Sequence, residues 1–94
     1  MYSKKTIVVN RLGLHARPGT IFVREAKKYA SEITITKLDE NGNIIKSGSA
    51  KSITKVMAMM LKKGTHIELT AEGEDEQTAV DELIALVDFG LNDM

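Results

Sequence analysis

Residues 52–72 read SITKVMAMMLKKGTHIELTAE, and along this stretch the spacing of apolar side chains changes from helical to extended. Ile53, Val56, Met57, Met60 and Leu61 fall at i, i+3, i+4, i+7 and i+8, which is the stripe of an amphipathic helix. Ser52 stands before that stripe as an N-cap, and Gly64 stops it. From His66 to Glu72 the period becomes two, with Ile67, Leu69 and Ala71 on one face of a strand. Val56 and Met60 are assigned to the core, and Met57 to an exposed, adaptable position.

The same reading extends in both directions. After Gly73, the acids Glu74, Asp75 and Glu76 precede Val80, Leu83, Ile84 and Val87, so carboxylates lie at the positive end of a last helix. Upstream, Ile33 and Ile35 alternate with polar residues over Glu32–Lys37, and Ile44 and Ile45 mark a partner strand after the turn-rich DENGN. Gly19, Phe22, Val23, Ala26, Tyr29 and Ala30 recur at helical spacing over Ala16–Ala30, with Pro18 tolerated in the first turn. Tyr2–Asn10 carries Ile7, Val8 and Val9 as a β-branched strand that ends at the Arg11–Gly13 turn. The order βαββαβα predicts an α/β fold of the α+β kind, an antiparallel sheet covered on one side by helices.

With 94 residues, one domain spanning residues 1–94 is expected. No run of about 18 apolar residues and no signal-peptide order are present, so a cytoplasmic chain without membrane insertion is expected. The absence of cysteine rules out a disulfide, and two histidines make a poor metal cage; no metal or cofactor is expected. Net charge is zero, which argues against direct nucleic-acid binding, but the charge is unevenly placed. Residues 1–63 hold all 13 bases and four acids, a net +9, whereas residues 64–94 hold nine acids and no base, a net −9. Part of the surface is therefore suited to acidic partners.

Residues 13–19, GLHARPG, place His15 at the lip of the first predicted helix and Arg17 two residues on. A helix N-terminus offers free backbone amides and a partial positive charge to a phosphoryl group. A neutral imidazole is a nucleophile toward phosphorus, and a guanidinium donates to phosphate oxygens in a planar fork. On spacing alone, His15 reads either as such an acceptor or as a cap or turn residue. A Ser-His-Asp hydrolase and a nucleotide cradle fit worse, because no nucleophile motif and no phosphate-binding glycine loop are present.

GLHARP, the later AKSITKVM and the ending AEGEDEQTAV resemble, in this order and over nearly the whole chain, the HPr family of histidine-containing phosphocarriers in the bacterial sugar phosphotransferase system. The resemblance implies an open-faced sandwich of a four-stranded antiparallel sheet with three helices on one face. It implies that His15 accepts the phosphoryl group through Nδ1 and that Arg17 steadies it, with backbone contacts from Ala16 and Arg17. The donor would be enzyme I, charged from phosphoenolpyruvate, and the acceptors enzyme IIA domains of sugar permeases, with the chain acting as a monomer.

Ser52 matches the family's regulatory serine, the target of an ATP-dependent HPr kinase/phosphorylase linked, through a catabolite-control transcription factor, to catabolite repression. The residues resembling the partner-contacting face are Ala16, Thr20, Arg24 and Lys27 on the first helix and Ile53, Thr54, Lys55 and Met57 on the second. Arg24, Lys27, Lys51 and Lys55 are expected to form a basic collar. Three features depart from the family pattern. His15 and Ser52 are 37 positions apart, with the excess in KLDENGNIIKSG, read as an extended hairpin; Lys55 replaces a common glycine; Gly19 and Thr20 stand where alanines are frequent. His66 reads as a strand surface residue. Two alternatives stand beside sugar transport: a regulatory paralogue, in a nitrogen-type phosphorelay or signalling through Ser52, and a non-catalytic α/β binding module.

Overall fold

In the computed structural model, which describes residues 1–91, the chain runs β1 (Tyr2–Ile7), α1 (Ala16–Ala26), β2 (Glu32–Leu38), β3 (Ile44–Ser49), α2 (Ile53–Ala58), β4 (His66–Glu72) and α3 (Glu76–Asp88). The strands form one antiparallel sheet in the order β1-β4-β2-β3, and the three helices cover one face in an open-faced sandwich. Ile67, Leu69 and Ala71 of the central β4 are fully buried, as their alternation requires. Against them pack Ile33 and Ile35 of β2, Phe22, Val23 and Ala26 of α1, Val56 of α2, and Ala79, Val80, Leu83 and Val87 of α3.

The register explains why the uncovered face tolerates water. Ser3 pairs with Thr70, Thr70 with Thr34, and Thr34 with Ser49, so a row of hydroxyls crosses all four strands. The Ser3 and Thr70 hydroxyls are hydrogen-bonded at 2.9 Å. His66 lies exposed on this sheet, as expected for a strand surface residue. The DENGN segment is the tip of the β2–β3 hairpin: the Asp39 carboxylate accepts the amides of Asn41 at 2.9 Å and Asn43 at 2.8 Å.

Three elements end earlier than their apolar patterns predict. β1 stops at Ile7, although Val8 stays tied to the turn before β4 through Val8 N–H to the Thr65 carbonyl at 2.9 Å and Gly64 N–H to the Val8 carbonyl at 2.7 Å. α1 stops at Ala26 rather than Ala30, because the amides of Ala30 and Ser31 go to the Asp75 carboxylate at 2.9 and 3.0 Å instead of continuing the helix.

α2 stops at Ala58 instead of running toward Gly64, which corrects the core assignment as well. Met60 lies in the left-handed region at φ +55° and is 60% exposed, while Met59 is buried in its place. The Leu61 carbonyl accepts the Leu14 amide at 2.9 Å, and the Lys37 ammonium donates to the Met59 carbonyl at 3.0 Å, so the backbone groups that would continue the helix are used elsewhere.

Asp75 therefore ties the start of α3 to the α1–β2 connection, and the Ser31 hydroxyl donates to it too. These bonds, first that of Ser31 and then that of the Ala30 amide, hold its carboxyl below the usual aspartate range. A depressed folded-state value means stability that is present above the unfolded value near ~4 and is lost as pH falls through the folded value. Asp75→Asn is expected to lower the thermal midpoint at pH 7, with the deficit relative to wild type shrinking below about pH 4. Paired melts at pH 7 and pH 3 measure this; a deficit that does not shrink would remove the ionised carboxylate from the account.

Candidate functional site

The loop from Asn10 to Leu14 sets the position of His15. Asn10 is buried, and its side-chain amide donates to the Gly13 carbonyl at 2.6 Å while the Gly13 amide returns to the Asn10 carbonyl at 3.1 Å. Gly13 has φ +67°, and a Cβ added there would stand 2.2 Å from the Leu61 carbonyl oxygen. Only a residue without a side chain fits where this loop crosses the segment after α2. Leu14 then drops into the core, 1% exposed, and turns His15 outward.

His15 occupies the N-cap of α1 with extended backbone (φ −128°, ψ 150°), and its ring makes no cap hydrogen bond. His15 therefore holds the cap position without spending its ring on it: the imidazole is exposed rather than bonded to its own helix. Pro18, third in the helix, has no amide hydrogen, so the free donors of the first turn are the amides of Ala16 and Arg17. No acid lies in that turn, and the Arg17 side chain is exposed. Ala16 adopts φ +53°, a conformation that costs a residue with a Cβ about 1–2 kcal/mol.

α1 and α2 meet closely at Gly19. A Cβ at that position would stand 2.7 Å from the Met57 methyl, so the glycine that weakens α1 by propensity also lets α2 approach. Met57 is half-buried, and Ile53, Thr54 and Lys55 are exposed on α2, while Ala16, Thr20 and Arg24 are exposed along α1 and Lys27 at its C-cap. The Thr20 hydroxyl donates to the Ala16 carbonyl at 3.2 Å. Of the expected basic collar, Arg24, Lys27 and Lys55 project to solvent, but Lys51 does not join them: its ammonium donates to the Tyr29 carbonyl at 2.6 Å. The stem of Lys55 lies against Gly48 of β3.

Ser52 is the N-cap of α2, and its hydroxyl accepts the Lys55 amide at 3.3 Å. Ser52→Ala is expected to lower stability by about 1 kcal/mol, read as a shifted denaturant midpoint with unchanged slope. A midpoint equal to wild type would mean that the cap contributes nothing.

Three residues that the sequence does not assign to the site complete the surroundings. Leu12, Met60 and Lys62, with Leu14, Met57 and Leu61, line a depression of about 260 Å³ that has His15 at its edge. Leu12 is 56% exposed in the turn before the glycine, and an apolar residue at a turn was the one available signal. Among the described residues no group of three or more histidine and acidic side chains is placed to hold a metal ion, and no helix is long and apolar enough to cross a membrane.

A family model described as the PTS HPr component phosphorylation site matches residues 2–88. The chain is 47% identical over 87 residues to the phosphocarrier protein HPr of Haemophilus influenzae, covering 93% of this chain and 95% of that one. It is 43% identical over 88 residues to the phosphocarrier protein HPr of Vibrio cholerae, covering 94% and 96%. Among solved structures, HPr-C-His from Thermoanaerobacter tengcongensis superimposes with a TM-score of 0.87 at 33% identity, covering 100% of this chain and 99% of that one. Agreement of sequence and fold along the length of the chain makes it a member of the HPr family, the phosphocarriers of the phosphotransferase system, whose role is phosphoryl transfer.

Proposed function

We propose that residues 1–94 form a single phosphocarrier domain that takes a phosphoryl group on His15 from phosphorylated enzyme I and passes it to enzyme IIA domains of sugar permeases. The observation that carries this reading is the exposed His15 imidazole, not hydrogen-bonded as a cap, at a helix end whose first two amides are free. A lone pair of the ring, on Nδ1, forms the new nitrogen–phosphorus bond as the donor residue's bond to phosphorus breaks and keeps its electron pair. The amides of Ala16 and Arg17 and the Arg17 guanidinium receive the charge on the equatorial oxygens. The site is shallow and open to solvent, which suits a group that has to leave again.

Incubation with enzyme I and phosphoenolpyruvate, followed by phosphorus NMR and mass spectrometry, tests the reading. An acid-labile phosphate on the wild type supports it, and no incorporation from a competent enzyme I of the same cell defeats it. Ser52 supports a second, regulatory modification by an ATP-dependent kinase, because its hydroxyl already faces an α2 amide. An acid-stable phosphate on Ser52 in chain isolated from cells is the corresponding test.

A further inference from the structure

Leu12 and Met60 are two large apolar side chains placed in water, 56% and 60% exposed, on either side of one depression. Isolated exposed apolar residues are ordinary, but these two share a concavity with His15 at its edge. Met60 is also strained: at φ +55° a methionine costs about 1–2 kcal/mol that a glycine would not. Its backbone is fixed there by the Lys37 ammonium on the Met59 carbonyl and by the Lys62 amide on the Met60 carbonyl, each at 3.0 Å. The floor is rigid, since Leu14 and Leu61 are 1% and 3% exposed and joined by a backbone hydrogen bond of 2.9 Å.

The segments that build the depression carry side-chain charge of one sign. Residues 1–24 and 41–67 contain no aspartate or glutamate, and Arg17, Lys55, Lys62 and Lys63 lie in the segments that build it. A body that covers His15 to exchange phosphate has to cover this concavity as well.

We propose that Leu12 and Met60 form a socket beside His15 for an apolar side chain of the protein that exchanges the phosphoryl group with it, a side chain ringed on that partner by carboxylates. The proposal rests on the phosphocarrier reading above. It adds a docking determinant in the turn before α1 and the segment after α2, outside the helix faces already considered. Apolar burial supplies the hold, and the carboxylate ring complements Lys62 and its basic neighbours.

Initial rates of phosphate transfer from enzyme I, with this chain as the varied substrate, test the socket in Leu12→Ser, Met60→Gly and the double variant. Each single substitution is expected to raise KM by roughly tenfold with kcat within about twofold of wild type. The thermal midpoint of Met60→Gly is expected to stay level or rise, because glycine holds the same backbone without strain. That combination separates a lost contact from a damaged fold. Lys62→Glu is expected to raise KM at low ionic strength, with the increase shrinking as salt is added.

A double variant with KM within twofold of wild type would overturn the socket, as would a loss confined to kcat. A salt-independent Lys62→Glu effect would overturn its carboxylate ring. The wild-type rate is read first: if a competent enzyme I transfers nothing, the phosphocarrier reading itself fails and the socket with it.

Discussion

A His15→Ala chain is expected to fold as the wild type does and to accept no phosphate from enzyme I. The first half follows from placement: the imidazole is exposed and makes no cap hydrogen bond, so its removal leaves neither a cavity nor an orphaned partner. The second follows from chemistry, because no other side chain beside those first-turn amides is a nucleophile of imidazole's kind. His66, the second histidine, lies on β4 and is no substitute. Arg17→Ala should be graded rather than absolute, slowing transfer by about 10²-fold, the scale on which a single oriented donor to a transferring group acts. The check is incorporation of labelled phosphate alongside a thermal melt. Label on His15→Ala at the wild-type rate would move the acceptor elsewhere.

Gly13→Ala is expected to be the most damaging single-methyl change near the site. The new Cβ would stand 2.2 Å from the Leu61 carbonyl oxygen and 2.9 Å from the Lys62 Cα, both backbone atoms that cannot rotate away. Its φ of +67° adds the left-handed penalty. A loss of about 3 kcal/mol or more follows, a fall in thermal midpoint of roughly 10–20 °C for a chain of this size. The Leu14-to-Leu61 hydrogen bond lies beside the clash, so the damage should reach the orientation of His15. Transfer measured well below the midpoint should therefore fall even where the variant is folded. Gly42→Ala is the control: it also has positive φ, at +86°, but nothing stands within 4 Å of the added Cβ. Equal losses in the two variants would show that the backbone angle, and not the crossing of the two segments, is what matters.

The fold was legible because each element announces its period. Ile67, Leu69 and Ala71 alternate and are all buried on β4, and the apolar stripe of α3 places Val80, Leu83 and Val87 in the core. Boundaries were less legible where a distant group claims the backbone. The pattern that runs through Ala30 says nothing of Asp75, which takes the Ala30 and Ser31 amides. The stripe that selects Met60 says nothing of Lys37 and Leu14, which use the carbonyls after α2 and put Met59 inside instead. The site divides in the same way. His15 and Arg17 stand out in GLHARPG because their chemistry is local to one helix end. The depression lined by Leu12 and Met60 joins residues nearly fifty positions apart, so no window of sequence contains it.

The order of the strands also sets an order in time. β1 has one neighbour in the sheet, β4, and Tyr2 faces Ala71. A chain leaving the ribosome can close the β2–β3 hairpin from contacts near in sequence, but β1 has no neighbour until β4, residues 66–72, has been made. The turn bearing His15 waits with it, since Val8 and Leu14 find their hydrogen-bond acceptors only at Thr65 and Leu61. His15 is thus set in place only after the segment that carries Leu61 and Thr65 has been made, and a nascent chain without that segment holds no finished His15 turn.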